Sequence, residues 1–204
     1  MAFEDRLQDR LKQRTLANEI RIVRTAYSAT PLQSVPYESR YCDGKDPKYA
    51  VTYFADSLTT AFAEVLVRGR YSVRFGSGGV YERTRSIRFT EINSRSVVVA
   101  NSSAHARMTL VDLTGPGLAY LGLHTDLSRA GSHTRGRRFS RFIYENYSDV
   151  DGFIWESRHT IGECICIFDR AIHKAESSSV TPLLKHPDLP SVLSTLSFSI
   201  SAPP

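Results

Sequence analysis

Between Arg40 and Glu64 the residue pattern admits one local structure: loop, strand, turn, helix. Tyr49–Ala55, YAVTYFA, is β-branched and aromatic, bounded by Asp46-Pro47 before and Asp56-Ser57 after, which reads as a strand. Asp56 or Ser57 is a suitable N-cap for a following helix. In that helix Leu58, Ala61, Phe62, Val65 and Leu66 recur at i, i+3, i+4, i+7 and i+8, one apolar stripe. Arg68 and Gly69 supply a cation in the last turn and a helix stop. Arg40, Tyr53 and Glu64 thus fall at successive element ends. Glu64 lies off the stripe, where a helical glutamate is ordinarily a solvated surface carboxylate. The face that carries it, however, is Thr60, Ala63 and Val67, with no other charge between Asp56 and Arg68. A helix small or apolar all round is covered on both sides, and a lone carboxylate in it is paired or functional. The pattern leaves both readings open.

At 204 residues the chain is long enough for one domain with its own core and a tail, and its 41% apolar and 23% charged residues are those of a globular protein. No run approaches the roughly 20 apolar residues of a membrane span. The opening MAFEDRLQDRLKQR has no apolar core of the signal-peptide kind, so a cytoplasmic location is expected, with no membrane partner. Cys42, Cys164 and Cys166 form no CxxC and no spaced Cys/His set, so no metal site is expected. Cys164 and Cys166 alternate with isoleucines on one strand face and read as buried, reduced thiols. A net charge of +5 suits an anionic ligand, either nucleic acid or a phosphate-bearing nucleotide.

Along the chain, Phe3, Leu7 and Leu11 step by four and predict a helix over residues 3–16 with a narrow apolar stripe, suited to packing on the domain or to homo-oligomer contact. Ile20–Val23 is strand-like; Arg21 within it is either the solvent side of the alternation or a ligand-facing residue. Residues 28–40 form a Pro-containing loop, and residues 69–82, glycine-rich, read as an exposed loop suited to act as a lid. Their GSGG lacks the lysine of a P-loop. Ser86–Ile92, Ser96–Ala100 and Leu110–Leu113 read as short strands, Gly115-Pro116-Gly117 as a turn, and Leu118–Leu123 as a short apolar element. A helix is expected from Gly136, with Phe139, Phe142 and Ile143 on its apolar side. Gly152–Trp155 and Cys164–Phe168 read as paired strands joined through Ser157. The Ser- and Pro-rich end closes on LSTLSFSIS, which alternates as an edge strand does. Strands and helices not in strict alternation predict an α+β fold. The basic run Arg129, His133, Arg135, Arg137, Arg138 and Arg141 reads as a solvated helix face or a contact for phosphate or an acidic partner, with direct nucleic-acid binding not expected. Ser157 with nearby His159 has no GxSxG elbow of a hydrolytic triad.

Taken together these blocks resemble the RES-domain family, the toxin half of many bacterial toxin–antitoxin pairs. Arg21 in IRIVR resembles the family's opening arginine, Arg40 in ESRYCDG its second, and Asp43 the acidic position after it. YAVTYFADSLTTAFAEV resembles the block holding the family's tyrosine and glutamate, here Tyr53 and Glu64. LVDLTGPGLAYLGL resembles the middle section, DGFIWESR the serine block with Ser157, and CICIFD the closing strand. The second arginine stands in SRY rather than glycine-arginine-tryptophan, and Trp155-Glu156-Ser157 replaces tyrosine-proline-serine. The organisation expected from this is a helical extension over 1–18, a RES domain over 19–175 and a Ser/Pro-rich segment with an edge strand over 176–204.

The resemblance implies a fold like that of ADP-ribosyltransferases, a mixed, mostly antiparallel split sheet with flanking helices. It implies NAD as substrate rather than cofactor, cleaved at the nicotinamide–ribose bond by hydrolysis or by phosphorolysis with inorganic phosphate as co-substrate. The alternatives are transfer of ADP-ribose to a protein target and an inactive partner-binding module. It also implies a helix-turn-helix antitoxin as partner. Planar, bidentate guanidiniums suit a pyrophosphate, which assigns Arg21 and Arg40. Tyr53 would stack on nicotinamide or ribose and offer its hydroxyl. Glu64 would face the ribose and stabilise its developing positive charge, and Ser157 would bond the nicotinamide amide or the ribose. Each has an ordinary reading beside it: a solvent-facing strand arginine, a loop-anchoring ion pair, a core aromatic, and a turn serine satisfying backbone.

Overall fold

A computed structural model describes residues 1–44, 48–68, 70, 73–76, 79–82, 85–124, 127 and 133–202, with backbone alone for 73–76, 79–82 and 105. In chain order the strands are β1 (Leu11–Arg14), β2 (Glu19–Arg24), β3 (Val51–Ala55), β4 (Val73–Gly76), β5 (Gly79–Glu82), β6 (Ser86–Ile87), β7 (Arg95–Ser102), β8 (Met108–Asp112), β9 (Gly152–Glu156), β10 (Glu163–Phe168), β11 (Ala175–Pro182) and β12 (Ser199–Ile200). The α-helices are α1 (Phe3–Gln8), α2 (Leu58–Phe62), α3 (Phe89–Asn93), α4 (Gly117–Tyr120), α5 (Thr134–Asn146) and α6 (Leu189–Leu196).

One sheet of eight strands runs β1-β8-β9-β10-β3-β2-β7-β11, with every neighbour antiparallel except β8 and β9. The fold is therefore α+β around a mostly antiparallel sheet, as expected. The sheet divides in the middle. β2 pairs with β7 from Glu19 to Arg24, and β3 pairs with β10 from Val51 to Ala55, but β2 meets β3 only at Ile20 and Ala55. Beyond that pair the two halves part.

Alternation assigns each face of the sheet to its own cover. On the β3–β10–β9 half, Val51, Cys164, Cys166, Phe153 and Phe168 pack against Phe139 and Ile143 of α5. The reverse face carries Phe54, Ile154, Ile165 and Ile167. The β2–β7 half buries Ile22 and Val97 against α2 and α6, through Phe62, Leu66, Leu189 and Val192. All three cysteines are buried and unpaired with one another.

Several elements depart from expectation. The predicted helix over 3–16 stops at Gln8, and Leu11–Arg14 instead pairs with β8. Tertiary partners win there: Arg10 donates to the carbonyls of Asp112 and Thr114 and pairs with the Asp112 carboxylate, and Arg14 bridges Glu19 and Glu163. Within 69–82, the predicted loop, the backbone forms the antiparallel β4–β5 hairpin; Gly69, the expected helix stop, lies outside the described residues, as do Asp46, Pro47 and Arg129. Ser86–Ile92 is not one strand but β6 followed by α3, which brings both Ile87 and Ile92 to full burial. LSTLSFSIS does not form an edge strand. Its first residues complete α6, where Leu189, Val192 and Leu196 recur at helical spacing, and only Ser199–Ile200 pairs, in parallel with β6. The outer strand beside β7 is β11. On α5 Phe139 and Ile143 are buried, whereas Phe142 is half exposed and touches the rings of Phe3 and Tyr147.

Candidate active site

The cleft opens where β2 and β3 part and encloses about 300 Å³, the lower end of the range for small-molecule sites. Arg21 and Ile22 of β2, Tyr53 and Ala55 of β3, and Arg40, Glu64, Arg68, Trp155 and Cys164 are among the residues that line it. Four of the five residues singled out in the sequence, Arg21, Arg40, Tyr53 and Glu64, therefore line a single cleft.

Arg21 extends from β2 with its Nε sealed from solvent and without a hydrogen-bond partner among the described residues. Burial pushes its pKa down, and only the neighbouring Tyr37 works the other way. An arginine left in that state favours an anion beside it.

Arg40 is 4% exposed, and its loop is held from three sides. The Tyr53 hydroxyl accepts the Tyr41 N–H at 3.0 Å and bonds the Ser39 hydroxyl at 3.0 Å. From α5, Arg137 Nε donates to the Ser39 carbonyl at 2.9 Å while its Nη2 pairs with Glu38 at 2.8 Å. Gly136, on the same helix, lies so close that a Cβ would stand 2.6 Å from the Arg40 carbonyl oxygen. The basic run of α5 is thus only partly a solvated face: Arg137 and Gly136 fasten the Arg40 loop. The Tyr53 hydroxyl, expected as a handle for a ligand, is taken up by that loop. Its ring packs edge-on to Trp155 and Tyr37 at 6.1 and 6.5 Å, and burial holds the phenol protonated.

Glu64 stands on a π turn, Ala63–Val67, that continues α2. Ser57 caps α2 by accepting the Thr60 N–H at 3.2 Å. The Ser157 hydroxyl donates to Glu64 Oε1 at 2.8 Å and accepts the His159 N–H at 3.1 Å. Ser157, expected to bond the nicotinamide amide or ribose, is buried, bonds Glu64 and its own turn, and is not among the residues named in the cleft lining. Thr60 of α2 bonds Thr160 of the 157–162 loop at 3.0 Å, and Asp56, just before α2, accepts the N–H of Glu163 at the start of β10 at 2.8 Å. A Cβ on Gly162 would collide with Thr60 Oγ1 and the Asp56 carboxylate.

The RES-domain family model matches residues 18–191. The chain belongs to the RES-domain family. A relative from Sinorhizobium fredii, "Probable toxin y4kH", is 32% identical over 94 residues, which is 46% of this chain and 74% of the relative. A chain in the crystal structure of the M. tuberculosis MbcT–MbcA toxin–antitoxin complex superposes with a TM-score of 0.63 at 13% identity, covering 89% of this chain and 93% of that one. At that identity the likeness is one of fold.

Within this RES domain no thiol is poised as a nucleophile. Cys164 lines the cleft, but burial, reinforced by Glu64, raises its pKa and keeps it protonated. Three further cleft residues, Tyr37, Arg68 and His133, were not singled out in the sequence as site residues. His133 was legible only as one member of a basic run, yet burial and the charges of Arg68, Arg40, Arg137 and Arg158 push it down to about 4. Among the described residues no helix is long and apolar enough to cross a membrane.

Proposed function

We propose that this RES domain is a toxin that cleaves the nicotinamide–ribose bond of NAD. The observation that carries the reading is a carboxylate, Glu64, hydrogen-bonded by Ser157 and lining a cleft with Arg21 and Arg40. As nicotinamide departs, positive charge builds on the ribose. A carboxylate fixed in advance stabilises that charge more than it stabilises the ground state. Arg21, whose buried Nε has no hydrogen-bond partner among the described residues, and Arg40 would hold the diphosphate. The ring of Tyr53 would flank the nicotinamide or ribose, while Ser157 orients Glu64. Water or inorganic phosphate would then take the anomeric carbon.

The toxin reading draws on the y4kH relative, and an antitoxin partner draws on the MbcT–MbcA complex. An antitoxin, of the helix-turn-helix kind that the family resemblance implies, would cover the cleft mouth. There Tyr37 and Val65 are 49% and 43% exposed, apolar surface suited to a protein contact.

Nicotinamide release from NAD by the purified chain, with and without phosphate, tests the reading beside Glu64→Gln. Release by the parent protein alone is expected, and a phosphate requirement would name the acceptor. Release that appears only with added lysate, with ADP-ribose on a protein, would replace NAD depletion by protein modification. No release under any of these conditions would leave a binding module and sink the proposal.

A further inference from the structure

Arg68 ends the π turn that carries Glu64. Its backbone leaves helical geometry, with φ −48° and ψ 124°, and its side chain joins Arg40 and Glu64 in lining the cleft. Arg68 Nη2 contacts Nε2 of His133, the N-cap residue of α5. A guanidinium has donors only, so that imidazole nitrogen must be the unprotonated acceptor, with the ring proton on Nδ1. The surroundings keep the ring neutral. Burial and four guanidiniums, those of Arg68, Arg40, Arg137 and Arg158, hold His133 near 4, so at neutral pH it adds an acceptor and no charge. Arg68 is itself pushed down, first by desolvation and then by Arg40, with Glu64 opposing. Arg68 and Arg40 line one cleft, and an anion beside Arg68 would offset the desolvation and like charge that act on it.

We propose that Arg68 is a further anion-binding residue of this cleft, sharing a diphosphate with Arg40, and that His133 positions its guanidinium. The substrate part of this inference rests on the NAD reading; the anion site itself does not. With Arg21, three guanidiniums would serve two phosphoryl groups, and planar forks suit that geometry where a lysine would not.

The test is calorimetric titration of the full chain with inorganic pyrophosphate and with ADP-ribose, beside KM and kcat for NAD. Arg68→Gln should weaken pyrophosphate binding about ten- to a hundredfold, the effect of losing a charge-assisted bond, and should raise KM alike while kcat changes little. His133→Gln keeps a side-chain acceptor and should bind as the parent does. His133→Leu removes the acceptor without adding charge and should weaken pyrophosphate binding in the same direction as Arg68→Gln. Circular dichroism melts of each variant report its folding separately. Unchanged pyrophosphate affinity in Arg68→Gln overturns the inference even if NAD is cleaved, as does a parent protein that binds no pyrophosphate. Equal affinities in His133→Gln and His133→Leu overturn the positioning role. Arg68-dependent pyrophosphate binding without nicotinamide release sustains the anion site and overturns the NAD reading instead.

Discussion

A carboxylate that must meet a cation forming on a sugar works best when its direction is set before the substrate arrives. The bond from Ser157 to Glu64 sets it here. Glu64→Gln retains an oxygen that can accept from Ser157, so the fold should survive while turnover is lost; an unchanged kcat would remove Glu64 from the chemistry. Ser157→Ala frees the carboxylate, and kcat should fall about ten- to a hundredfold, with KM nearly unmoved, for a lost hydrogen bond to a charged group. Arg40→Ala should act oppositely, raising KM for NAD more than Ser157→Ala does. Steady-state kinetics of the pair decides whether one orients and the other binds. Taken alone, the local patterns of Arg21, Arg40, Tyr53 and Glu64 left an ordinary reading open; these residues were legible through the blocks that resemble the RES family. The partner of Ser157 was not, since 93 residues separate it from Glu64 and no spacing rule spans that distance. Arg68 and His133, 65 residues apart, were hidden for the same reason.

Elements were legible wherever local pattern and tertiary demand agreed, as in β3, β9 and β10. The helix that bears Glu64 is instructive because its pattern is regular and its structure is not. An unbroken α-helix would bury Val65 on the same stripe as Phe62. The π turn winds wider, so Val65 emerges to 43% exposure while Ala63 and Val67 become fully buried. Leu66→Ala should therefore cost about 2–5 kcal/mol in urea unfolding, and Val65→Ala within about 0.5 kcal/mol of nothing. Equal losses would mean a regular helix. Where the pattern misled, a distant partner decided: β8 drew residues 11–14 into the sheet, and the core under α2 turned 189–196 into a helix. For the latter the clue stood in the sequence, an aspartate followed by proline at the first turn and apolar residues at helical spacing.

Taken whole, the molecule keeps a cluster of positive charge beside histidines that it prevents from protonating. His133 lies near 4 against an ordinary 6.5, and His159 is also lowered, chiefly by desolvation. Between those two pH values the unfolded chain binds protons that folded His133 refuses, so stability falls as pH falls through that window. His133→Gln should flatten part of this acid dependence in melts taken between pH 7 and 4, and an identical slope would contradict it. The two-part sheet was expected, but the single pair that joins its halves could not be read from β2 and β3 separately. One last feature bears on heredity rather than on catalysis. Gly162 and Gly136 are not among the residues that line the cleft, yet neither leaves room for a single added methyl group. If the chain poisons the cell that makes it, survivors of forced expression should carry lesions at these two codons as often as at Glu64, and sequencing such survivors would map the scaffold as clearly as the cleft.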